Sequence, residues 1–367
     1  MKRTRVFHFI SHFDLGGAER VAANIAKSKT KGIESHIVEM MRGKSEFTSQ
    51  FIEELTTSGI TCHRAWMPDA RWHFVFERLA ALLFPLRFLL IWWRWRPDVI
   101  HTHTEAPDMG IVLTMRLFPW ICKRCKIVRT IHNNCLWSGQ QRIGEACEHF
   151  FNLHDSNIAI SESVRRSYFE RYEHDTPIIY NGVAETAQRE YGNLKKDKRN
   201  IVFAGRYERQ KGIDILVEII SRMKDDKRYH FHLFGDGSMR HFVEEKLGCQ
   251  QNVSLNPPLF GLSSFLASFD YMLMPSYFEG LSIVAIEASM ARLPNIINSC
   301  FGLEETLPAT WPLKVKDNDI DSYMTLFTDV IPSLSHAEIA NEAYVYAARH
   351  FSIRQMQEAY ERIYFLK

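Results

Sequence analysis

Residues 271–298 read YMLMPSYFEGLSIVAIEASMARLPNIIN, in which a short apolar strand, a polar loop, a helix and a second apolar strand follow one another. We predict the strands over 271–274 and 295–298, and the helix over 282–291. A strand, a helix and a second strand in this order form a parallel pair with the helix across one face of the sheet. The stretch therefore predicts an α/β fold built on a parallel sheet.

The same alternation runs through the whole chain in two rounds, separated by a polar stretch. The other predicted strands are 6–10, 99–103, 127–132, 157–160, 201–204 and 230–234, and the other predicted helices are 18–31, 212–223, 238–247 and 353–365. Each round is typical of a doubly wound parallel sheet with helices on both faces.

The boundary between the rounds lies in residues 184–200, which are charged and lack apolar periodicity. We interpret them as a linker between an N-terminal domain over 1–183 and a C-terminal domain over 201–350. The last segment, 351–367, is expected to form a helix that crosses back to the N-terminal domain. A chain of 367 residues is long enough for two such domains.

Charge and cysteine content limit the classes of function. The net charge of +2 does not favour nucleic acid as a partner, and one stretch, 64–129, carries 11 basic against 5 acidic residues. The first ten residues lack the pattern of a signal peptide, and seven cysteines without framework spacing fit a reducing cytoplasm. The lone Cys122–Cys125 pair is interpreted as ordinary thiols rather than a zinc site.

Candidate ligand-binding residues follow the strand 271–274, because ligands of open parallel sheets bind beyond the carboxyl ends of the strands. Gly280 lets the backbone approach a ligand closely, and backbone N–H groups at a helix N-terminus suit a phosphate. Glu279 before the helix and Glu287 within it can accept hydrogen bonds from sugar hydroxyls. The alternative interpretation is a capped surface helix that carries an ordinary acid.

Basic residues follow the strand 201–204 in the same way. Arg206 and Lys211 stand at the strand end and the helix start, where two cations can bind a diphosphate and stabilise it as a leaving group. A solvated basic turn is the alternative. Gly235 lies in a tight turn after the strand 230–234, where a loop can lie against a base or ribose. The chain contains no GxGxxG dinucleotide fingerprint.

In the N-terminal half, Gly17 precedes a helix and again offers an N-terminus to phosphate. His101, His103 and His132 stand at the ends of two strands, where structural and functional roles are equally expected.

Together these segments resemble the family-4 retaining glycosyltransferases of the GT-B fold, in which two Rossmann-like domains face a central cleft. The matching pieces, in the family's order, are Gly-Gly-Ala-Glu-Arg at 16–20, His-Thr-His at 101–103, Thr-Ile-His at 130–132, Ile-Ser-Glu-Ser at 160–163, Tyr-Asn-Gly-Val at 180–183, Gly205-Arg206 through Lys211-Gly212, Gly-Asp-Gly at 235–237, and Pro275-Ser276 through Glu279 and Glu287-Ala288.

The resemblance implies roles for these residues. Arg206 and Lys211 would hold the diphosphate of the donor, Glu279 the hydroxyls of the transferred sugar, and Glu287 those of the ribose. His132 would lie beside the reacting sugar carbon. The remaining phosphate contacts would come from Gly17 and from the backbone N–H groups of Gly280, Leu281 and Ser282.

The implied activity is retaining transfer of a sugar from a UDP- or GDP-sugar to a glycan or lipid-linked glycan, in bacterial polysaccharide or lipopolysaccharide synthesis. No cofactor is implied, and no required metal is predicted, because Asp-x-Asp occurs only at 319–321, away from a phosphate loop.

Other classes remain open. A GT-B nucleotide-sugar epimerase would turn over its substrate without an acceptor. A catalytically silent partner subunit is expected to lack Arg206, Lys211 or Glu279, and all three are present. A nicotinamide oxidoreductase would need the glycine fingerprint.

Two departures from the family are expected to reshape the rim of the sugar pocket. Arg292 stands near a position where the family often has glycine, and the loop 299–304 replaces a double glycine.

A basic, aromatic segment, Arg71 to Arg96, predicts that the N-terminal domain lies on an anionic membrane surface, at the inner face of the cell membrane, without crossing it. Its longest uncharged run is 79–86, and Pro85 is expected to bend or break the helix. A second basic patch is predicted over 116–129. The alternative is a helix that buries its apolar face on the sheet.

Overall fold

The computed structural model describes residues 3–14, 16–67 and 73–366. The chain divides into two compact units. The N-terminal unit comprises residues 1–182 and 353–367, and the C-terminal unit comprises residues 183–352. Each unit contains a six-stranded sheet in which all the paired strands run parallel.

The N-terminal sheet has the strand order β3-β2-β1-β4-β5-β6. Its strands are Thr4–Ile10 (β1), Ile33–Glu39 (β2), Thr61–His63 (β3), Val99–Thr102 (β4), Lys126–Ile131 (β5) and Asn157–Ala159 (β6). Its helices are Gly17–Ala26 (α1), Phe47–Thr57 (α2), His73–Trp95 (α3), Glu105–Leu117 (α4), Pro119–Cys122 (α5), Gln141–Leu153 (α6) and Glu162–Tyr172 (α7). From β1 the chain proceeds to β2 on one side, and from β4 to β5 on the other.

The C-terminal sheet repeats this arrangement in the order β12-β11-β10-β7-β8-β9. Its strands are Arg199–Ala204 (β7), Tyr229–Phe234 (β8), Val253–Asn256 (β9), Tyr271–Met274 (β10), Asn295–Ser299 (β11) and Lys314–Lys316 (β12). Its helices are Ile213–Arg222 (α8), Arg240–Leu247 (α9), Ile283–Met290 (α10), Ile320–Thr325 (α11), Ile331–Ser333 (α12) and His336–His350 (α13). Here the direction of winding changes between β7 and β10.

The predicted α/β class and the two doubly wound parallel sheets are confirmed. Burial on both faces explains why β10 is a continuous apolar run: every residue of β10 is buried, as is every residue of β8, which includes two histidines. The sequence analysis missed four short or half-polar strands, which are β2, β3, β9 and β12.

Residues 184–198, interpreted as a linker, contain no helix or strand but are hydrogen-bonded to the C-terminal unit. The backbone N–H of Arg189 donates to the carbonyl of Ser264 over 2.6 Å, and that of Tyr191 donates to Ser268 Oγ over 2.9 Å. The Tyr191 ring packs against the Phe269 ring, with centroids 5.3 Å apart. The segment is therefore packed on this unit rather than extended through solvent.

The last helix, Ile353–Phe365 (α14), belongs to the N-terminal unit although it follows the C-terminal unit in sequence. Its buried face carries two tyrosines. Tyr360 Oη is hydrogen-bonded to Thr130 Oγ1 over 2.8 Å, and Tyr364 Oη to His101 Nδ1 over 2.7 Å. These bonds satisfy polar groups at the centre of the sheet.

A buried ion network also stabilises the N-terminal unit. Arg129, on β5, donates to Asp108 over 2.7 Å and to both carboxylate oxygens of Glu148, over 2.6 and 2.8 Å. Burial alone raises the pKa of Glu148, but the charge and hydrogen bonds of Arg129 hold that pKa below its ordinary value. The predicted surface patch over 116–129 is therefore wrong at its last residue, because Arg129 faces the core and is 1% exposed.

Four histidines form a second polar group at this sheet, of which His8, His101 and His103 are buried and His132 is half-buried. His8 Nδ1 is 3.1 Å from His103 Nε2, and His103 Nδ1 is 3.3 Å from His132 Nε2. The rings of His101 and His103 lie 4.1 Å apart. Burial lowers the pKa of His8 and of His132 to about 3, and it lowers those of His101 and His103 well below 6.5. All four imidazoles are therefore neutral at pH 7.

These pKa values predict that the protein loses stability as the pH falls below 6.5. The unfolded chain binds protons on these imidazoles from pH 6.5 downward, whereas the folded chain binds them only near the lowered pKa values. Each histidine therefore removes up to about 1.4 kcal/mol of unfolding free energy per pH unit, a limit that is approached as the unfolded-state imidazole becomes fully protonated. Urea unfolding between pH 7 and about pH 5 measures the slope.

The matched test is His8→Asn, whose slope is expected to be shallower than that of the wild type by up to about 1.4 kcal/mol per pH unit at the acid end of this range, whatever its stability at pH 7. His149→Gln, at an exposed position, is expected to leave the slope unchanged. Equal slopes for the wild type and His8→Asn would show that His8 titrates normally.

Candidate functional site

The loops after β7 and β10 lie at the point where the winding of the C-terminal sheet changes direction. These strands are neighbours, with Ile201 paired with Tyr271. The chain leaves β7 towards β8 and leaves β10 towards β11 on the opposite side. In open parallel sheets a crevice forms at such a point, beyond the carboxyl ends of the strands, and ligands bind there.

An ion pair joins the two loops. Lys211 Nζ, from the β7 loop, donates to Glu279 Oε1, from the β10 loop, over 2.6 Å. Ser276 Oγ donates to the same carboxylate oxygen over 2.8 Å. Glu279 is buried and Lys211 is half-buried. The structure thus brings together two of the predicted site residues, which are 68 positions apart in sequence.

Glycines allow the backbones of these loops to approach closely. Gly212 has φ +65°, and a Cβ there would lie 1.9 Å from the Pro275 carbonyl oxygen. Gly302, after β11, has φ +75°, and a Cβ there would lie 2.1 Å from the Glu279 carbonyl oxygen. Positive φ and missing space both exclude larger residues. Neither glycine was singled out from the sequence for this packing role.

The β8 turn packs onto the β7 loop from the other side. A Cβ at Gly235 would lie 2.2 Å from the Gly205 carbonyl oxygen and 2.5 Å from the Tyr207 ring. The backbone N–H of Tyr207 donates to the Asp236 carbonyl over 2.8 Å. The structure thus gives Gly235 a packing role, whereas the sequence analysis assigned it a contact with base or ribose.

Buried amides behind the β10 loop hold its backbone in place. Asn298 Nδ2 donates to the Ser276 carbonyl over 2.9 Å, and Asn318 Nδ2 donates to the Pro275 carbonyl over 3.0 Å. Tyr323 Oη in turn donates to Asn318 Oδ1. The sequence analysis missed these residues; the only available signal was the unusual presence of asparagine next to buried apolar strands.

The other predicted donor contacts of this unit lie around the same loops. Arg206, two residues after β7, is exposed, and Glu287 lies half-buried about one turn inside α10. Ser282 is the N-cap of α10: its hydroxyl accepts from the N–H of Ala285, and its own N–H donates to the Gly302 carbonyl over 3.4 Å. For the N–H of Ser282 to bind phosphate as predicted, its long bond to the Gly302 carbonyl would have to break.

The two departures from the family lie in different places. Arg292 has φ +58°, which explains a preference for glycine, but its guanidinium stacks on Tyr344 at 3.9 Å and donates to Asn341 of α13. The side chain of Arg292 therefore lies on α13, and the expectation that Arg292 reshapes the sugar pocket stays a prediction. Phe301 does lie beside the site: its carbonyl accepts from the Glu279 N–H over 3.1 Å, and its ring is exposed.

The predicted site residues of the N-terminal unit also lie at a change of winding, between β1 and β4. Gly17 begins α1 after β1, and a Cβ on Gly17 would meet nothing within 4 Å, so packing does not explain this glycine. The loops after β1 and β4 are joined by a hydrogen bond of 2.8 Å between Ser11 Oγ and Thr104 Oγ1. His132 follows β5 and is half-buried, with its Nε2 on the histidine group described above.

Nitrogen atoms of His8, His101 and His103 lie within 4.8 Å of one another, a spacing that a metal ion can bridge. Both nitrogens of His101 already have partners, in Tyr364 and Thr130, and His8 is bonded to His103. We therefore interpret the group as a hydrogen-bonded network, and the absence of a required metal stays a prediction.

Two family models match the chain. The model described as Glycosyltransferase Family 4 matches residues 15–186, and the model described as Glycosyl transferases group 1 matches residues 198–330. The second match contains Arg206, Lys211, Glu279 and Glu287. Together the two matches contain the predicted site residues of both units.

Individual proteins extend the comparison. The capsular polysaccharide biosynthesis glycosyltransferase CapH of Staphylococcus aureus is 23% identical over 85% of this chain and 90% of its own length. An uncharacterised 41.2 kDa protein in the cps region of Klebsiella pneumoniae is 31% identical over 35% of this chain and 38% of its own length. Other curated relatives are matched over about 30% to 62% of their lengths.

Among solved structures, Anabaena HepE in complex with UDP and glucose superposes with a TM-score of 0.77 at 17% identity, over 99% of this chain and 100% of HepE. This similarity shows the fold, which is GT-B. The two family models, which together match most of the chain, establish that it belongs to the family-4, group 1 glycosyltransferases.

Proposed function

We propose that the protein is a retaining glycosyltransferase that moves a sugar from a nucleoside-diphosphate sugar to a glycan or lipid-linked glycan in bacterial polysaccharide or lipopolysaccharide synthesis. The observation that carries this proposal is the Lys211–Glu279 pair at the crevice of the C-terminal sheet. One cation and one carboxylate side by side match a ligand that is anionic at its diphosphate and rich in hydroxyls at its sugar.

In this mechanism the bond between the sugar C1 and the diphosphate oxygen breaks, and the electron pair leaves with that oxygen. The sugar passes through an oxocarbenium-like state. Arg206 and Lys211, with N–H groups at the start of α10, stabilise the charge that develops on the diphosphate. The acceptor hydroxyl attacks C1 from the side of the leaving group and gives its proton to the departing diphosphate oxygen, so the configuration is retained.

Two carboxylates and one imidazole orient the donor in the proposal. Glu279 accepts hydrogen bonds from hydroxyls of the transferred sugar, and Glu287 from those of the ribose. His132 is neutral at pH 7, since burial and the nearby charge of Arg129 lower its pKa to about 3. It therefore acts beside the sugar as a hydrogen-bonding group and not as a cation.

The names of two relatives support the proposed acceptor class. CapH is named for capsular polysaccharide biosynthesis, and the Klebsiella protein lies in a cps region. We extend this to a glycan or lipid-linked glycan acceptor at the inner face of the cell membrane. The base is left open between uracil and guanine; the complex of HepE with UDP favours uracil.

A thermal-shift panel of UDP-, GDP- and ADP-sugars tests the donor class, with the expected result that sugars of a single base raise the melting temperature. A nucleotide-sugar epimerase would pass that test but would convert its sugar with no acceptor present. A catalytically silent subunit would bind a donor and neither transfer nor epimerise it. No stabilisation by any nucleotide sugar would contradict the proposal.

Arg206→Ala and Lys211→Gln are each predicted to lower turnover by about two orders of magnitude or more, the scale for losing one preorganised charge stabiliser. Arg209→Ala is the matched control, because Arg209 is an exposed cation on the same short helical turn, Arg209–Lys211. Near-normal turnover in both test variants, measured with the donor from the panel, would remove the diphosphate contact from the mechanism.

Glu279→Ala and Glu287→Ala are predicted to separate sugar binding from nucleotide binding. Glu279→Ala keeps the affinity for the free nucleoside diphosphate, while Glu287→Ala weakens it about tenfold or more, the scale of a lost hydrogen bond to a charged group. Calorimetry measures both affinities. Glu218→Ala, at an exposed acid on α8, serves as the control. Equal losses in both site variants would refute the assignment.

A further inference from the structure

Helix α3 presents two different faces, and the inner one explains its position in the N-terminal unit. Phe84 and Phe88 pack against Phe9 of β1, with ring centroids 5.7 and 5.9 Å away, and both are buried. Pro85 lies inside the helix, which continues to Trp95. The expected break at Pro85 is therefore wrong, since packing of the helix outweighs the lost hydrogen bond.

Arg87, which interrupts the apolar sequence, points inward. Its guanidinium donates to the backbone carbonyls of Glu39, His63 and Arg64, and the residue is 7% exposed. In the sequence this charge argues against an apolar surface. In the structure it is removed from the outer face and satisfied by the ends of β2 and β3.

The outer face of α3 is a continuous apolar stripe. Large side chains recur every three or four residues and are between 39% and 75% exposed: Leu79, Leu82, Leu83, Leu86, Leu90 and Trp93. With a rise of about 1.5 Å per residue, the stripe is about 21 Å long. An exposed apolar surface of this extent marks an interaction site more often than chance exposure. The alternative that α3 buries its apolar face on the sheet holds for the inner face alone, because a second apolar face is exposed.

Aromatic and basic side chains stand at the C-terminal end of this stripe. Trp120 lies edge-on to Trp92 at 5.5 Å, and the Arg124 guanidinium lies 5.9 Å from the Trp120 ring. Arg94 and Lys123 beside them are exposed. The sequence between Arg78 and Arg96 contains no acidic residue.

We infer that the outer face of α3, with the basic turn after α4, is the surface by which this protein lies on an anionic lipid bilayer. The apolar stripe enters the boundary between headgroups and acyl chains, tryptophans occupy that boundary, and the arginine and lysine side chains meet lipid phosphates. A second copy of the chain would offer the same face, whose positive charges would then have no acidic partner. Charge complementarity therefore selects the bilayer.

The protein lies on the membrane in this account rather than across it. None of the helices in the described part of the chain combines the length and the apolar composition needed to span a bilayer. The inference rests on one part of the proposed function, which is the lipid-linked acceptor. Docking brings the enzyme to the surface where such an acceptor is anchored. Docking itself requires no sugar transfer, so the two proposals can fail separately.

Vesicle flotation of the full chain tests the inference, with phosphatidylcholine vesicles made with and without phosphatidylglycerol, at low and high salt. The wild type is expected to float with the anionic vesicles at low salt and much less with neutral ones. Lys123→Gln with Arg124→Gln is expected to lower partitioning onto anionic vesicles by about fivefold for each charge removed. Lys224→Gln with Lys227→Gln, exposed in the C-terminal unit, is the matched control.

The apolar part is tested by the combined substitution Leu82→Gln, Leu86→Gln and Leu90→Gln, expected to abolish flotation with either vesicle. The control combines Leu153→Gln, Phe169→Gln and Val345→Gln, which are equally exposed but lie on other helices. Flotation of the leucine variant like the wild type, or no flotation of the wild type, would overturn the inference.

Light scattering of the same proteins tests the alternative that a second copy of the chain covers this face. A wild-type dimer that becomes monomeric in the leucine variant, together with no vesicle binding, would assign the face to a second copy and overturn the bilayer. Nucleotide-sugar stabilisation of each variant is measured in parallel. If no nucleotide sugar stabilises any of these proteins while flotation is as expected, the proposed function is refuted and the docking surface is retained.

Discussion

The site depends on one constraint, which is that the loops after β7 and β10 must stay in contact although their chains depart in opposite directions. The backbone of Gly212 packs directly on the Pro275 carbonyl, and an ion pair joins the side chains of Lys211 and Glu279. The ion pair is half-buried, where water screens it less than at a surface. The candidate binding groups of the two loops are thereby held within hydrogen-bonding distance of each other.

The polar interior of the N-terminal unit serves a different purpose. Its histidines are neutral, and three of them are hydrogen-bonded in series, so that His132 stands at the end of a chain that runs from His8 through His103. In such a chain the tautomer of each ring determines that of the next. The position of His132 and the side from which it donates or accepts are therefore set by residues on β1 and β4, with α14 supporting the group through Tyr364.

The sequence was sufficient for the fold class and for the loops that carry the candidate site, because both follow from local patterns. Alternation of short apolar runs with helical periodicity predicts a doubly wound sheet, and polar residues at strand ends predict the crevice. The carboxylate of Glu279 and the amine of Lys211 were located in this way. Their pairing was not, because it joins residues 68 positions apart.

What the sequence could not supply is the direction of individual side chains and the partners of buried polar groups. Arg129 was interpreted as part of a basic surface patch, whereas carboxylates enclose it, and nothing in the sequence indicated that backbone carbonyls enclose Arg87. Arg292 was assigned to the pocket rim but lies on α13. The supporting amides of Asn298 and Asn318 were missed, since their bonds close over gaps of 22 and 43 residues.

Hydrogen–deuterium exchange of the full chain tests the central claim most directly, with UDP-, GDP- and ADP-sugars added in turn. The claim is that the crevice between β7 and β10 binds the donor. The account predicts that a donor of one base slows exchange in peptides covering 205–212 and 275–287, where the backbone meets the diphosphate and the sugar. Unchanged exchange in both segments, with a nucleotide sugar demonstrably bound, would contradict it.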